Sequence, residues 1–96
     1  MLHIITTTVG REVLLQRISH GDALLFVESA VLNLHKNAQT AQILLPHYQH
    51  FQCYALEADL LARGLAADKI LAEVAVVDYQ GFVALTVEHE VIKTWN

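Results

Sequence analysis

The sequence predicts an α/β domain: a small three-layer sandwich with a mostly parallel sheet of four to five strands and helices on both faces. Three observations carry this. Short apolar runs alternate along the chain with segments of helical periodicity, the rhythm of βαβ units. The run Ala23-Leu24-Leu25-Phe26-Val27 is apolar at every position, as a strand covered on both faces requires. Right-handed crossovers between parallel strands then place helices on both sides of the sheet.

The elements follow in order. Residues 2–6 read as strand one. A helix follows over 10–20, with Val13, Leu14 and Ile18 on its buried side, and Gly21 suits the left-handed position that closes a helix. Strand two is 23–27. Over 29–45, Val31, Leu34, Ala38, Ala41 and Leu45 recur at three and four, while Asn33, Lys36, Asn37, Thr40 and Gln42 face away. This predicts a long amphipathic helix, ended by Pro46. Residues 51–56 form strand three. A short helix over 59–63 closes at Gly64. Strand four is 74–77, and the last helix is 79–88. Residues 91–95 either add a short fifth strand or pack as a tail. With no repeat, linker or low-complexity segment, residues 1–96 read as one domain.

Composition points to association. Hydrophobic residues make up 54% of the 96 and charged residues 17%, against roughly 25% charged in an average domain. A chain this short buries only about 60–65% of the surface it exposes when unfolded. Part of the apolar excess is therefore expected on the outside, as an association surface. The net charge of −4 and six scattered basic residues lack the basic footprint of a nucleic-acid binder. Residues 1–5 lack the basic start and cleavage site of a signal peptide. No apolar run approaches the roughly 20 residues that span a bilayer. A single cysteine, Cys53, excludes an internal disulfide. The expected location is the cytoplasm.

Function in open parallel sheets sits beyond the carboxyl ends of the strands. Those ends are Thr6-Thr7-Thr8, Glu28-Ser29, Glu57-Ala58 and Asp78-Tyr79, without a thiol or an imidazole. Gly10 stands alone, so no dinucleotide or phosphate loop is present. Glu28, Glu57 and Asp78 either attract a cationic ligand or favour helix starts through capping and the dipole. Cys53 falls mid-strand, where nothing lowers its pKa, and reads as a core thiol. His47, His50 and Cys53 have an H-x₂-H-x₂-C spacing. Residues three apart on a strand point to opposite faces, and three ligands fall short of a structural zinc set, so no metal is expected. His20 suits the end of the first helix, His3 a strand, His35 a helix surface, and His89 the carbonyl end of the last helix. No Ser/His/Asp set and no cofactor motif is evident. Tyr79, Phe82 and Trp95, with Tyr48 and Tyr54, serve either local packing of the tail or a subunit interface.

The tail Asp78-Tyr79, Gly81-Phe82-Val83, Leu85-Thr86-Val87, His89 and Trp95, in that order, resembles the TusB/DsrH family. So do residues 54–65 (YALEADLLARGL), Met1-Leu2-His3 and Gly21-Asp22-Ala23-Leu24-Leu25. The resemblance runs the length of the chain. It implies a DsrE/DsrH-like fold and a non-catalytic subunit of a sulfur-relay complex. TusC-like and TusD-like subunits would complete a heterohexamer with two copies of each. Such a complex passes persulfide sulfur to a downstream acceptor for 2-thiolation of a tRNA wobble uridine, the relay cysteine belonging to the TusD-like subunit. DsrH-like relatives act instead in sulfur oxidation and can carry a cysteine near the first helix. This chain has no cysteine before residue 53, which favours the tRNA branch. A persulfide on Cys53 itself, or a stand-alone homodimer binding a small ligand at the strand ends, are the rival readings.

Overall fold

The structure, a computed structural model, describes residues 1–6, 18–19, 21–38 and 51–95. Five strands form one sheet: β1 (Leu2–Ile5), β2 (Ala23–Phe26), β3 (Gln52–Leu56), β4 (Ala75–Val77) and β5 (Ile92–Trp95). The spatial order is β4-β3-β2-β1-β5, and every adjacent pair is parallel. Residues 91–95 thus supply a fifth strand, on the outer side of β1. Two α-helices, α1 (Glu57–Ala62) and α2 (Tyr79–Glu88), and two 3-10 helices, Glu28–Leu34 and Ala67–Lys69, complete the described elements.

The strand order dictates which face each connection covers. From β1 to β4 the chain steps across the sheet in one direction, so right-handed crossovers put the described parts of those connections on one face. The step from β4 back past β1 to β5 runs the other way and puts α2 on the opposite face. Packing follows this rule. On the first face, Ile5, Leu24, Phe26, Cys53 and Ala55 meet Ala30, Val31 and Leu34 of the first 3-10 helix, Leu60 of α1, and Ile70 and Leu71. On the second face, Leu2, Ala23, Leu25 and Val27 meet Leu85, with Phe82 packed alongside. β2 is buried at all four positions, as its unbroken apolar run requires.

The long helix expected over 29–45 is not what forms in its first half. Residues 28–34 wind as a 3-10 helix, and His35 turns to an extended ψ of 138°. The cause is a competing set of backbone bonds. His35 makes an antiparallel bridge with Ile70, Lys36 N–H donates to Lys69 O, and Leu71 N–H donates to Leu34 O. These bonds use groups an α-helix would need for its own continuation. His35 therefore ends a 3-10 helix rather than riding on a helix surface. The periodic positions beyond residue 38, Pro46, Tyr48, and the helix over 10–20 apart from Ile18 and Ser19 lie outside the described residues.

Ile18 and Ser19 are not helical, so the first helix does not reach residue 20 as expected; the boundaries of the five strands, α1 and α2 fall within two residues of expectation. α1 begins at Glu57, directly on the end of β3, and ends in a left-handed turn. Gly64 has φ of 68°, Gly64 N–H donates to Leu61 O, and Leu65 N–H donates to Leu60 O. This pair of bonds is the Schellman closure, and glycine takes its left-handed position without a Cβ penalty. α2 spans 79–88 as read, with Asp78 as its cap: the Asp78 carboxylate accepts from Gly81 N–H at 2.8 Å. Gly81 faces β4 closely, and a Cβ there would stand 2.9 Å from Val77 Cβ. Helix propensity alone favours Gly→Ala by up to about 1 kcal/mol. Here the clash reverses the sign: Gly81→Ala is expected to destabilise the fold by about 1–3 kcal/mol in urea unfolding.

Candidate functional site: the strand-end cleft and the face of the last helix

An open cleft of about 460 Å³ lies at the carboxyl ends of the strands, where parallel sheets place their ligands. Ile4, Val27, Leu56 and Phe82 supply apolar wall. Thr6, Glu28, Asp59, Tyr79 and Thr94 supply the polar positions. Several of the polar groups are engaged in holding backbone. Thr6 Oγ1 donates to Trp95 O at 2.7 Å, and Ser29 Oγ donates to Thr6 O. Asp59 accepts from the Glu28 amide at 2.7 Å and lies 3.5 Å from Arg63 Nη1. Asp78 is spent on capping α2. Glu57 opens α1 and is exposed.

The Asp59 contact has a specific task. Glu28 sits in the left-handed region with φ of 52°, a conformation that costs a non-glycine residue of order 1–2 kcal/mol. The charged bond from Asp59 offsets that cost and fixes the turn from β2 into the 3-10 helix. Asp59 was not singled out from the sequence. The signal available was its place in an acidic first turn, which points to helix capping and not to a neighbouring loop.

Cys53 is on β3, 4% exposed, within the first-face cluster. It stands in the wall of a second, shallower hollow of about 300 Å³ with Phe51, Gln52, Tyr54, Glu73 and Ala75. That hollow is at the other end of β3 from the strand-end cleft. Beside it, burial pushes the Tyr54 phenol above its ordinary range, with smaller contributions from Glu88 and Cys53. The phenol donates to Gln52 Oε1 at 2.8 Å. His20, His47 and His50 lie outside the described residues. Among the described residues no group of three His, Cys, Asp or Glu is placed to hold a metal ion. No helix among them is long and apolar enough to cross a membrane.

The three aromatics singled out from the sequence part company. Trp95 is half-buried against the first-face cluster. Its indole N–H donates to His3 Nδ1 at 3.1 Å, and Lys93 Nζ sits 4.5 Å from its ring centroid, within cation–π range. Phe82 is half-buried against the second-face cluster. Tyr79 is 74% exposed and lies parallel to Phe82, ring centroids 6.1 Å apart.

Behind Trp95 is a polar network that the sequence reading missed. His3 and Asp22 are buried, and His3 Nε2 lies 2.8 Å from Asp22 Oδ2. Indole N–H groups only donate, so Nδ1 is the acceptor and the ring proton sits on Nε2, facing the carboxylate. Asp22 also accepts from the Ser19 amide at 2.9 Å and from the Met1 ammonium at 3.2 Å. Burial pushes the Asp22 carboxyl up. The Ser19 amide, His3 and the Met1 ammonium outweigh it and hold the carboxyl below its ordinary value.

Fold and cleft together define a class: a small α/β domain with helices on both faces of an all-parallel sheet, and a strand-end cleft in which Asp59 secures the chain's own backbone. Two solved structures share this fold. A protein of unknown function, MTH1491 from Methanobacterium thermoautotrophicum, superposes with a TM-score of 0.76 at 19% identity, covering 98% of this chain and 96% of the other. The ychN protein from Escherichia coli gives 0.71 at 12% identity, covering 98% and 97%. In sequence, Protein TusB of Yersinia enterocolitica is 32% identical over 82 residues, 85% of this chain and 83% of that protein. Protein TusB of Pectobacterium parmentieri is 32% identical over 98 residues, covering 99% and 100%. Protein TusB of Escherichia coli K12 is 34% identical over 82 residues, covering 85% and 83%. The family model described as DsrH like protein matches residues 7–92. The chain belongs to that family.

Two outcomes test the local physics. A carboxyl held low when folded adds stability above its unfolded pKa, and that stability is lost as pH falls through the folded value. Denaturant midpoints should therefore fall as pH drops below about 4, and Asp22→Asn should flatten this acid limb. At pH 7 the same substitution should cost about 1–3 kcal/mol through weakened charged hydrogen bonds. Glu28→Gly should relieve the left-handed turn and leave stability unchanged or raised by up to about 1 kcal/mol, whereas Glu28→Val should lower it.

Proposed function

We propose that this chain is a non-catalytic subunit of a TusBCD-like sulfur-relay complex in the cytoplasm, residues 1–96 acting as one domain. In that complex, persulfide sulfur passes along the TusD-like subunit toward 2-thiolation of a tRNA wobble uridine. Membership of the DsrH like family and the likeness to Protein TusB over most of the chain support this reading.

The observation that carries it is the placement of the chain's one thiol. Cys53 is packed in the core in mid-strand, 4% exposed, while a relay thiol must be reached by two partners in turn and needs an accessible, electropositive setting. The described residues lining the strand-end cleft include neither a thiol nor an imidazole. What the chain offers a complex is surface. α2 has a single fully buried residue, Leu85, and exposes Tyr79, Val83 and Val87. The TusC-like and TusD-like subunits are the natural partners for such a surface.

The test is co-expression with TusC-like and TusD-like subunits, then size exclusion with light scattering. One stoichiometric species of six chains is expected, and a separate peak for this chain would overturn the reading. Cys53→Ser should cost about 1–3 kcal/mol of stability by burying a hydroxyl, yet leave the 2-thiouridine content of tRNA unchanged. Loss of thiolation from a folded, complexed Cys53→Ser chain would instead identify Cys53 as a persulfide carrier.

A further inference from the structure

His3 is 1% exposed and is the middle member of a chain of three groups. Its Nε2 lies 2.8 Å from Asp22 Oδ2, and its Nδ1 accepts from the Trp95 indole N–H at 3.1 Å. The two contacts make opposite demands on the ring. Asp22 needs a donor, and an imidazolium serves it better than an imidazole, because a hydrogen bond between two charged groups is stronger. Trp95 needs an acceptor, and an imidazolium has none, because both its nitrogens carry protons. Turning the ring over does not restore one. A single proton therefore strengthens one contact and abolishes the other.

We propose that this opposition is a pH-operated latch. Protonation of His3 at Nδ1 releases the Trp95 side chain from the first face of the sheet, and deprotonation draws it back. The moving part is the indole and not the strand. The Trp95 carbonyl is held by the Thr6 amide at 3.1 Å and by Thr6 Oγ1 at 2.7 Å, and neither group titrates. On the other side, Asp22 is fixed by the Ser19 amide at 2.9 Å and the Met1 ammonium at 3.2 Å. The buried His3 ring stays with its strengthened carboxylate partner. The half-buried indole, at the end of an edge strand whose other side chains are exposed, is the group with solvent within reach. The latch belongs to the chain by itself and does not depend on the sulfur-relay reading.

The surrounding charges act in the same sense. Among the described residues, the charged groups around His3 are Asp22 before β2, the Met1 ammonium before β1, and Lys93 on β5. On the β2 side the paired residue is the uncharged Leu24. Lys93 pairs with His3 across β1 and β5, is exposed, and places Nζ 4.5 Å from the Trp95 ring centroid. A protonated His3 is thus a third cation beside a single carboxylate, and it repels the ammonium that lies on the indole face. A cation–π contact does not compensate. The indole turns its N–H edge to His3, and the edge is the positive part of an aromatic ring, while its face is occupied by Lys93.

Trp95 is the chain's one tryptophan, so indole fluorescence reports on it alone. The experiment follows acrylamide quenching of the purified chain from about pH 8 to about pH 5, the range over which an ordinary imidazole changes charge. Asp22 stays ionised throughout, because its carboxyl is held below its ordinary value. The His3 ring is titrated in parallel by NMR. The exposed fraction of the indole should rise about tenfold toward acid, the factor that loss of a hydrogen bond of about 1.4 kcal/mol allows. Its midpoint should coincide with that of the His3 ring. His3→Asn, whose side-chain carbonyl accepts in place of Nδ1 at every pH, should keep quenching flat. Flat quenching while His3 titrates, a His3 ring still neutral at about pH 5, or a rise that persists in His3→Asn overturns the proposal. So does a rise accompanied by loss of far-ultraviolet circular dichroism, which would mean unfolding. The two midpoints are compared in the unaltered chain, so the test stands even where His3→Asn does not fold.

Discussion

One buried carboxylate joins the segments of this chain that are farthest apart in sequence. Asp22 accepts hydrogen bonds from the Met1 ammonium, His3 and the Ser19 amide. Its own carbonyl accepts the Gln52 amide, at the start of β3. Through His3 the connection reaches Trp95 at the end of β5. A lone buried charge would cost several kcal/mol, and here it is stabilised by three donors drawn from two segments into one place. β5 depends on this. It pairs with β1 alone, it is only four residues long, and its last side chain is anchored on the His3 ring.

The alternation of elements was legible because it follows from burial. β2 has to be apolar throughout to lie between two layers, and α2 starts at the acid Asp78, a residue type that favours helix starts. The 3-10 helix was not legible. The spacing of Val31 and Leu34 suits an α-helix, and the decision against one is made by backbone bonds to Lys69, Ile70 and Leu71, some 35 residues away. Side-chain periodicity carries no information about such partners. The network around Asp22 was hidden for a related reason: His3 and Asp22 are unremarkable in their local sequence, Trp95 stood out only as an aromatic of the tail, and only the β2-β1-β5 strand order makes the three neighbours.

Of the acids read at the strand ends, Glu28, Glu57 and Asp78, the last has structural work, and it shares that kind of role with Asp59, which the sequence did not single out. Asp78 caps a helix and Asp59 secures the amide of Glu28, so neither carboxylate stands free to define a ligand. The excess of apolar residues was visible in composition alone, but its location was not. That depended on the return crossover from β4 to β5, which leaves α2 as the described helix on its face while two described helical elements and the 67–71 segment share the other. Of Tyr79, Phe82 and Trp95, the sheet engages the second and third and leaves the first outside.

The pairing of β1 with β5 also sets an order of events during synthesis. His3 and Trp95 are 92 residues apart, which a ribosome adding about 5–20 residues per second covers in roughly 5–20 s. β1 can pair with β2 early in that interval, but its outer edge, Leu2 to Ile5, stays open until the last strand emerges. An open apolar strand edge is a template for pairing with other chains. For that interval β1 lacks its β5 partner, and the edge is closed only when residues 92–95 pair with it.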